Sequence, residues 1–118
     1  MPYRYHVDRD LIKKIDSLYA EHAIPSKELL VRMGIALGIR RNRSLPLSNP
    51  VPFSTIEEVD AERAFTVIAA TRNQDVVTEE DVLRDLEEYG NWGMRELLGI
   101  IEKDGSLNPY TVYHRYLG

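Results

Sequence analysis

The stretch that decides the fold is Tyr3-Arg4-Tyr5-His6-Val7, followed by a segment from about Arg9 to Glu21. In the first stretch, aromatic and β-branched residues alternate with polar ones, which is the two-residue period of a strand with one buried face. In the second, apolar residues recur at helical spacing. These residues are Leu11, Ile12, Ile15, Leu18 and Tyr19. The patterns predict a short strand that leads directly into an amphipathic helix, with Asp8 as its N-cap.

A second helix is predicted after the turn at Pro25-Ser26, because proline cannot continue a helix and serine is a preferred N-cap. Residues 29–39 are apolar nearly all round, so this helix should be buried on more than one side. Gly34 and Gly38 lie four positions apart and would permit another helix to approach closely. The short strand also needs a partner strand, either in this chain or in a second copy. We therefore expect a homodimer.

The order strand, helix, turn, helix resembles the ribbon-helix-helix family over residues 3–39. In that family two chains pair their N-terminal strands into a ribbon that lies in the DNA major groove. The resemblance implies that Arg4 and His6 point outward and contact base edges. The third outward position would be Pro2 or Asp8, neither a good base reader, which argues against tight sequence specificity. Arg4 and His6 are equally explained as the solvated face of an ordinary strand.

Charge and proline content divide the chain into three segments of one mainly α-helical domain. Residues 1–43, the ribbon-helix-helix-like segment, carry nine Lys/Arg and five Asp/Glu, or +4. Residues 44–118 carry six and fourteen, or −8, giving −4 for the chain. This asymmetry indicates that one end meets a polyanion, although it could also arise by chance. Residues 44–53 contain three prolines and form an extended connector, and residues 54–118 form an acidic helical extension packed on the first segment.

Within the extension, capping boxes at Ser54 or Thr55 and at Thr78 predict two helix starts. The first helix should continue through Ala69. The stretch Gly90-Asn91-Trp92-Gly93 predicts an interruption or kink in the second. Three tyrosines at positions 110, 113 and 116 suggest that the C-terminal tail packs as a latch.

Two stretches resemble small proteins associated with Dnd systems, which install phosphorothioates in bacterial and archaeal DNA and restrict unmodified invaders. Residues 33–47 are similar to that family's "A-x-G-x-x-R-x-R" block followed by Pro-Leu. Residues 86–93 are similar to its "EEYANGG" block, with Gly90 in place of Ala and Trp92 in place of Gly. The resemblance covers about residues 28–103. It implies a helical accessory protein of DNA modification or phage defence, which acts with other subunits of such a complex and has no assigned catalysis.

Further candidate DNA contacts lie at the two ends of the second predicted helix. Ser26 and Lys27 stand where free backbone N–H groups and the helix dipole favour a phosphate, although a plain N-cap explains Ser26 without any DNA. Arg40, Arg41 and Arg43 form the densest basic cluster in the sequence. They suit a phosphate clamp, or alternatively a stabilised helix end that pairs with the acidic half of the chain.

No catalytic, metal or cofactor site is predicted. The chain has no cysteine, its three histidines are scattered, and it lacks the glycine-rich phosphate-binding and nucleophile motifs. The acidic run at residues 79–88 has the pattern of a solvated helix face. With no long apolar run and no signal-peptide pattern, we expect a non-enzymatic cytoplasmic protein without membrane contact. The alternative function is a protein-interaction subunit without direct DNA contact, which docks through the apolar helix and the Trp92 region.

The homodimer is directly testable. The strand that needs a partner and the helix without a polar face both predict association at micromolar concentration. Light scattering should give twice the chain mass of 13.6 kDa. A monomer mass at high concentration would rule out a ribbon formed by two chains.

Overall fold

Five helices and two strands make up the described part of the chain, residues 4–60, 63–72 and 78–104 of a computed structural model. In chain order they are β1 (Arg4–Asp8), α1 (Arg9–Ala20), α2 (Lys27–Arg41), β2 (Pro50–Thr55), α3 (Ile56–Val59), α4 (Ala64–Arg72) and α5 (Glu79–Asp104). The mainly helical class, in which a strand and two helices precede a helical extension, is confirmed. Tyr3 and the predicted tyrosine latch near the C-terminus lie outside the described residues.

The partner strand of β1 lies within the same chain. β1 and β2 form an antiparallel pair in which His6 faces Pro52 and Asp8 faces Pro50, with a register shift between Tyr5 and His6. Among the described residues β2 has β1 as its one strand neighbour, and its other edge is unpaired. Proline has no N–H to donate, and on an unpaired edge no neighbouring strand needs that donor. Residues 50–53 of the predicted connector are therefore part of a strand, which the proline-rich pattern concealed.

The predicted N-cap positions of α1 and α2 behave differently. Ser26 caps α2 as expected, because its Oγ accepts a hydrogen bond of 2.9 Å from the backbone N–H of Leu29. Asp8 does occupy the N-cap position of α1, but its side chain makes no capping hydrogen bond. It instead accepts a hydrogen bond of 2.8 Å from the backbone N–H of Asn49. That bond ties the start of α1 to the chain just before β2.

The centre of the fold is the contact between α2 and α5, where the two backbones nearly touch. A Cβ atom on Gly93 would overlap the carbonyl oxygen of Gly34, and one on Gly38 would overlap the carbonyl oxygen of Tyr89. Hydrogen alone fits at these positions, so the helix faces meet without intervening side chains. The close approach that the glycine spacing predicted is thus made with α5 of the same chain.

A hydrophobic core surrounds this contact and extends to the sheet and to α1. Its largest fully buried side chains are Tyr5, Leu11, Ile15, Leu30, Ile35, Leu37, Leu86, Met94 and Leu97. Both features that suggested a dimer, the short strand and the apolar second helix, therefore find partners within one chain. No helix among the described residues has both the length and the apolar character needed to cross a bilayer.

Two predictions about the extension were wrong. The helix expected to run from Ser54 or Thr55 through Ala69 is divided into α3 and α4. The division arises at Asp60, whose carboxylate accepts hydrogen bonds from the backbone N–H groups of Phe65 (3.0 Å) and Thr66 (2.9 Å) and so caps α4. Conversely, α5 continues without interruption through Gly90 to Gly93.

Replacing Gly93 with Ala should strongly destabilise the protein, because the new methyl group would meet the backbone of Gly34. We expect a loss of about 3 kcal/mol or more in the free energy of unfolding, or failure to fold. Gly99→Ala is the matched control, since a Cβ there meets nothing within 4 Å, and it should stabilise α5 by about 0.5–1 kcal/mol. Urea unfolding of both variants measures the difference, and equal stability of the two would contradict the packing described here.

Candidate nucleic-acid interface

The structure distributes the predicted DNA contacts over three places. Arg4 and His6 lie on β1, Ser26 and Lys27 lie at the N-terminal end of α2, and the arginine cluster lies at its C-terminal end. The 15 residues of α2 span about 22 Å, so the last two groups are separated by most of the helix length. The contacts that the sequence predicted are therefore not a single patch.

On β1, Arg4 is exposed, whereas His6 is tied to α5. The Glu87 carboxylate accepts a hydrogen bond of 2.6 Å from the His6 backbone N–H, and its Oε2 lies 2.8 Å from His6 Nδ1. Burial raises the pKa of Glu87, and hydrogen bonds from His6 partly counteract that effect. Next to His6, the fully buried Tyr5 donates to the carbonyl oxygen of Leu86 at 3.0 Å. His6 could contact a base only after leaving Glu87.

At the start of α2, the two predicted phosphate contacts have partners within the chain. Lys27 Nζ lies 2.8 Å from the Asp16 carboxylate and 5.4 Å from the centre of the Tyr19 ring. The hydrogen bond to Asp16 raises the pKa of Lys27. The Lys27–Asp16 pair joins this end of α2 to α1, and Ser26 serves as the N-cap. The geometry of this helix end is therefore explained without a bound phosphate.

At the other end of α2, the chain turns back over the helix terminus. Asn42 has a left-handed backbone (φ 53°), and the Arg43 N–H donates to the carbonyl oxygen of Gly38 at 2.9 Å. Arg40, Arg41 and Arg43 are all exposed. Arg40 and Arg41 also have interactions within the protein.

The segment that carries Arg43 is held in place by α5. The Leu45 N–H donates to the carbonyl oxygen of Glu88 at 3.0 Å. Asn91, which is buried, donates from Nδ2 to the carbonyl oxygens of Leu45 (3.0 Å) and Pro46 (3.3 Å). The stretch that sequence patterns marked as a kink in α5 therefore positions the chain beyond the arginine cluster.

Sequence reasoning missed Arg32, which lies exposed on α2. The signal that could have revealed it is spacing, because Arg32, Ala36 and Arg40 are separated by four residues each and so share one face of the helix. From residue 29 to residue 56 the sequence contains four arginines and no acidic residue. The basic surface is therefore larger than the cluster at the end of α2.

Sequence reasoning also missed an ionic contact between α5 and the N-terminal segment. Arg95 Nη2 lies 3.1 Å from the Asp8 carboxylate, and Arg95 Nη1 lies 3.0 Å from that of Asp10. The hydrogen bond from Arg95 lowers the pKa of Asp10, and the same pair raises the pKa of Arg95. These partners are more than 80 residues apart in sequence, so no local pattern could have linked them.

Four large apolar side chains of the described residues are exposed, namely Tyr19, Leu45, Val67 and Ile68. On α4, Val67 is 62% exposed and Ile68 is 42% exposed. A shallow groove of about 280 Å³ separates α1 from the end of α5. Its lining residues are Lys13, Lys14, Ser17, Leu18, Leu98, Ile101 and Glu102. Trp92 packs half-buried against the core.

Within residues 4–60, 63–72 and 78–104, no group of three acidic, histidine or cysteine side chains is arranged to hold a metal ion.

Comparison with known proteins gives no relative for this chain: it matches no protein-family model, no curated protein and no solved structure at a significant level. Function must be inferred from the surface itself.

The contact between Arg95 and Asp8 should be important for stability. Asp8→Ala would remove the acceptor of the Asn49 N–H and of one Arg95 hydrogen bond at a position that is 1% exposed. We expect a loss of about 2–4 kcal/mol in the free energy of unfolding at pH 7, measured by urea denaturation.

Asp10→Ala is the matched control, because Asp10 contacts the same arginine but is mostly exposed. Its loss should stay below about 1 kcal/mol. Since the folded-state pKa of Asp10 is lowered, its contribution is present above the unfolded-state pKa and disappears as the pH falls through the folded-state value. Equal losses for the two variants at pH 7 would contradict the difference in burial on which this prediction depends.

Proposed function

We propose that this protein is a non-enzymatic DNA-binding protein, which attaches to phosphates through the exposed arginines at the C-terminal end of α2. The observation that carries the proposal is the exposure of Arg40, Arg41 and Arg43 within a stretch, residues 29–56, that has no acidic residue. Phosphate contacts by arginine supply most of the sequence-independent affinity for DNA. Three arginines within four positions exceed what is needed to stabilise a helix end.

The proposed contacts favour affinity over sequence discrimination. With His6 bonded to Glu87, Arg4 is the exposed member of the pair proposed to contact base edges. A single base-reading arginine discriminates weakly compared with a set of such contacts. We therefore propose an accessory or regulatory role rather than recognition of one defined operator. The resemblance to Dnd-associated proteins supports a place in DNA modification or phage defence, in the cytoplasm and alongside other subunits of such a complex.

If the protein binds DNA as a homodimer, the dimer must form through a surface other than the edge of β1. One edge of β1 pairs with β2, and the N–H of His6 is bonded to Glu87. A second chain could not pair with β1 without displacing one of these partners.

A protein-interaction subunit is the second candidate function. It is supported by the exposed Val67 and Ile68 on α4 and by the groove beside α1. Under this proposal, the apolar surfaces dock another protein, and the arginines pair with its acidic residues. Apolar docking changes little with salt, whereas binding through several phosphates weakens steeply as salt rises.

Reversing the charge of Arg40, Arg41 and Arg43 to glutamate should weaken binding to every duplex alike, whereas Arg4→Ala should only reduce any sequence preference. If all three arginines contact phosphates, raising salt from 50 to 200 mM should weaken parent binding by about 40-fold through these contacts, and the triple variant should lose that dependence. Fluorescence anisotropy with a labelled mixed-sequence duplex measures both effects.

A matched control reverses three exposed cations outside this surface, Arg63, Arg84 and Lys103, and changes net charge equally. It should retain most of the affinity. A parent dissociation constant weaker than about 1 mM at low salt would exclude DNA binding, because non-specific binders reach about 10⁻⁴ to 10⁻⁶ M even at physiological salt. Equal weakening by both triple variants would show that net charge, rather than this surface, controls binding.

A further inference from the structure

We infer that α2 lies across the major groove of duplex DNA, with Arg40 on the phosphates of one strand and Arg32 on those of the other. This inference rests on the proposed DNA binding and adds to it a new contact residue, the form of DNA and the orientation of the helix. It is carried by the solvent face of α2, which is defined here by Arg32, Ala36 and Arg40.

The three residues lie on one row of the helix, each four positions after the last. Two turns separate Arg32 from Arg40, which places their Cα atoms about 12 Å apart along the axis. Both arginines are exposed, whereas Ala36 is half-buried. The side chain between the two long cationic side chains is thus a short, uncharged one.

The opposite face of α2 keeps this row rigid. Gly34 and Gly38 follow Arg32 and Ala36 by two positions, which is about 200° around the helix. There Gly38 packs on the backbone of α5 at Tyr89, and Gly34 packs on the backbone and side chain of Met94. Because α2 is fixed on that face, the spacing of Arg32 and Arg40 is set by a packed helix rather than by a mobile loop.

The spacing matches duplex DNA. The major groove of B-form DNA is about 12 Å wide, and phosphates line both of its edges. A helix that crosses the groove can place one arginine on each edge while Ala36 lies over the opening. No acidic residue lies between the two arginines, since residues 29–39 include none. Glu28 lies on the same row one turn before Arg32, outside the interval that the two arginines define. A single strand is flexible and has no fixed groove width, so it would not depend on this spacing.

The experiment compares two variants of α2 on two probes, a labelled mixed-sequence duplex of about 20 base pairs and one of its strands. Arg32→Ala should weaken duplex binding by about three- to tenfold at low salt and reduce the slope of log affinity against log salt by about 1. The double variant Arg32→Ala with Ala36→Arg restores the charge but places the arginine one turn from Arg40. It should bind the single strand as the parent does, yet remain weak on the duplex. Arg84→Ala, on the exposed surface of α5, is the control, and circular dichroism confirms that each variant is folded.

The outcomes separate this inference from the proposed function. If the parent binds no DNA, the proposed function fails and the inference fails with it. If the parent binds but Arg32→Ala matches it, the function stands and the role of Arg32 is excluded. Recovery of duplex affinity by the double variant would exclude the groove-spanning geometry, because charge alone would then be sufficient. If the shifted arginine misfolds the protein, Arg32→Lys supplies the second measurement: it should retain most of the duplex affinity that Arg32→Ala loses, and a loss equal to that of alanine would overturn a phosphate contact.

Discussion

The contact on which the rest of the structure depends is the approach of α2 to α5 through glycine. Gly93 lies directly against the backbone of Gly34, and at Gly38 the backbone of Tyr89 fills the space that a side chain would need. Interiors packed at this density do not adapt to added atoms without displacement of the backbone. The relative position of the two helices is thereby set. This contact explains how a chain of 118 residues covers a helix that is apolar nearly all round without needing a second copy.

The same part of α5 also organises the N-terminal segment. Between Leu86 and Arg95, α5 accepts the hydrogen bond of Tyr5, binds His6 through Glu87 and pairs with Asp8 through Arg95. Gly90 has no side chain and so leaves room for the Tyr5 hydroxyl, which a Cβ at this position would overlap. Within the same stretch, Asn91 donates a hydrogen bond to the segment that follows α2. Because a single helix holds the sheet, the start of α1 and the end of α2, disturbing its glycines should affect all three together.

Local sequence patterns predicted the parts of the fold that local forces decide. Leu11 and Ile15 gave the correct face of α1, Ser26 gave the start of α2, and Thr78 marked the start of α5 by accepting from the Asp81 N–H at 3.1 Å. Most of the predictions that were wrong share one cause. In these cases the structure is decided by a residue distant in sequence, which a local pattern cannot contain.

Asp8 has the residue type of an N-cap, but the Asn49 N–H and Arg95 provide its hydrogen bonds. The glycines at positions 90 and 93 have the composition of a helix break, yet they are retained within α5 because close packing requires small residues there. For the candidate site, composition located the arginine cluster, but the involvement of His6 and Lys27 with carboxylates depends on contacts that only the folded chain reveals.

The distribution of charge bears on how the protein would be oriented relative to DNA at the proposed interface. The whole chain carries −4, which disfavours approach to a polyanion at long range. At physiological ionic strength, charges more than about 8 Å apart are largely screened, so the nearest side chains decide the interaction once the surfaces meet. The solvent face of α2 presents Arg32 and Arg40 with no acidic residue between them, whereas the first turn of α5 presents three acidic residues in succession. Under the proposed function, DNA would repel a protein charged in this way in most orientations and attract it when the arginines face the duplex. The acidic extension would therefore restrict binding to the orientation in which α2 faces the duplex, and lowering the salt would strengthen the attraction and the repulsion together.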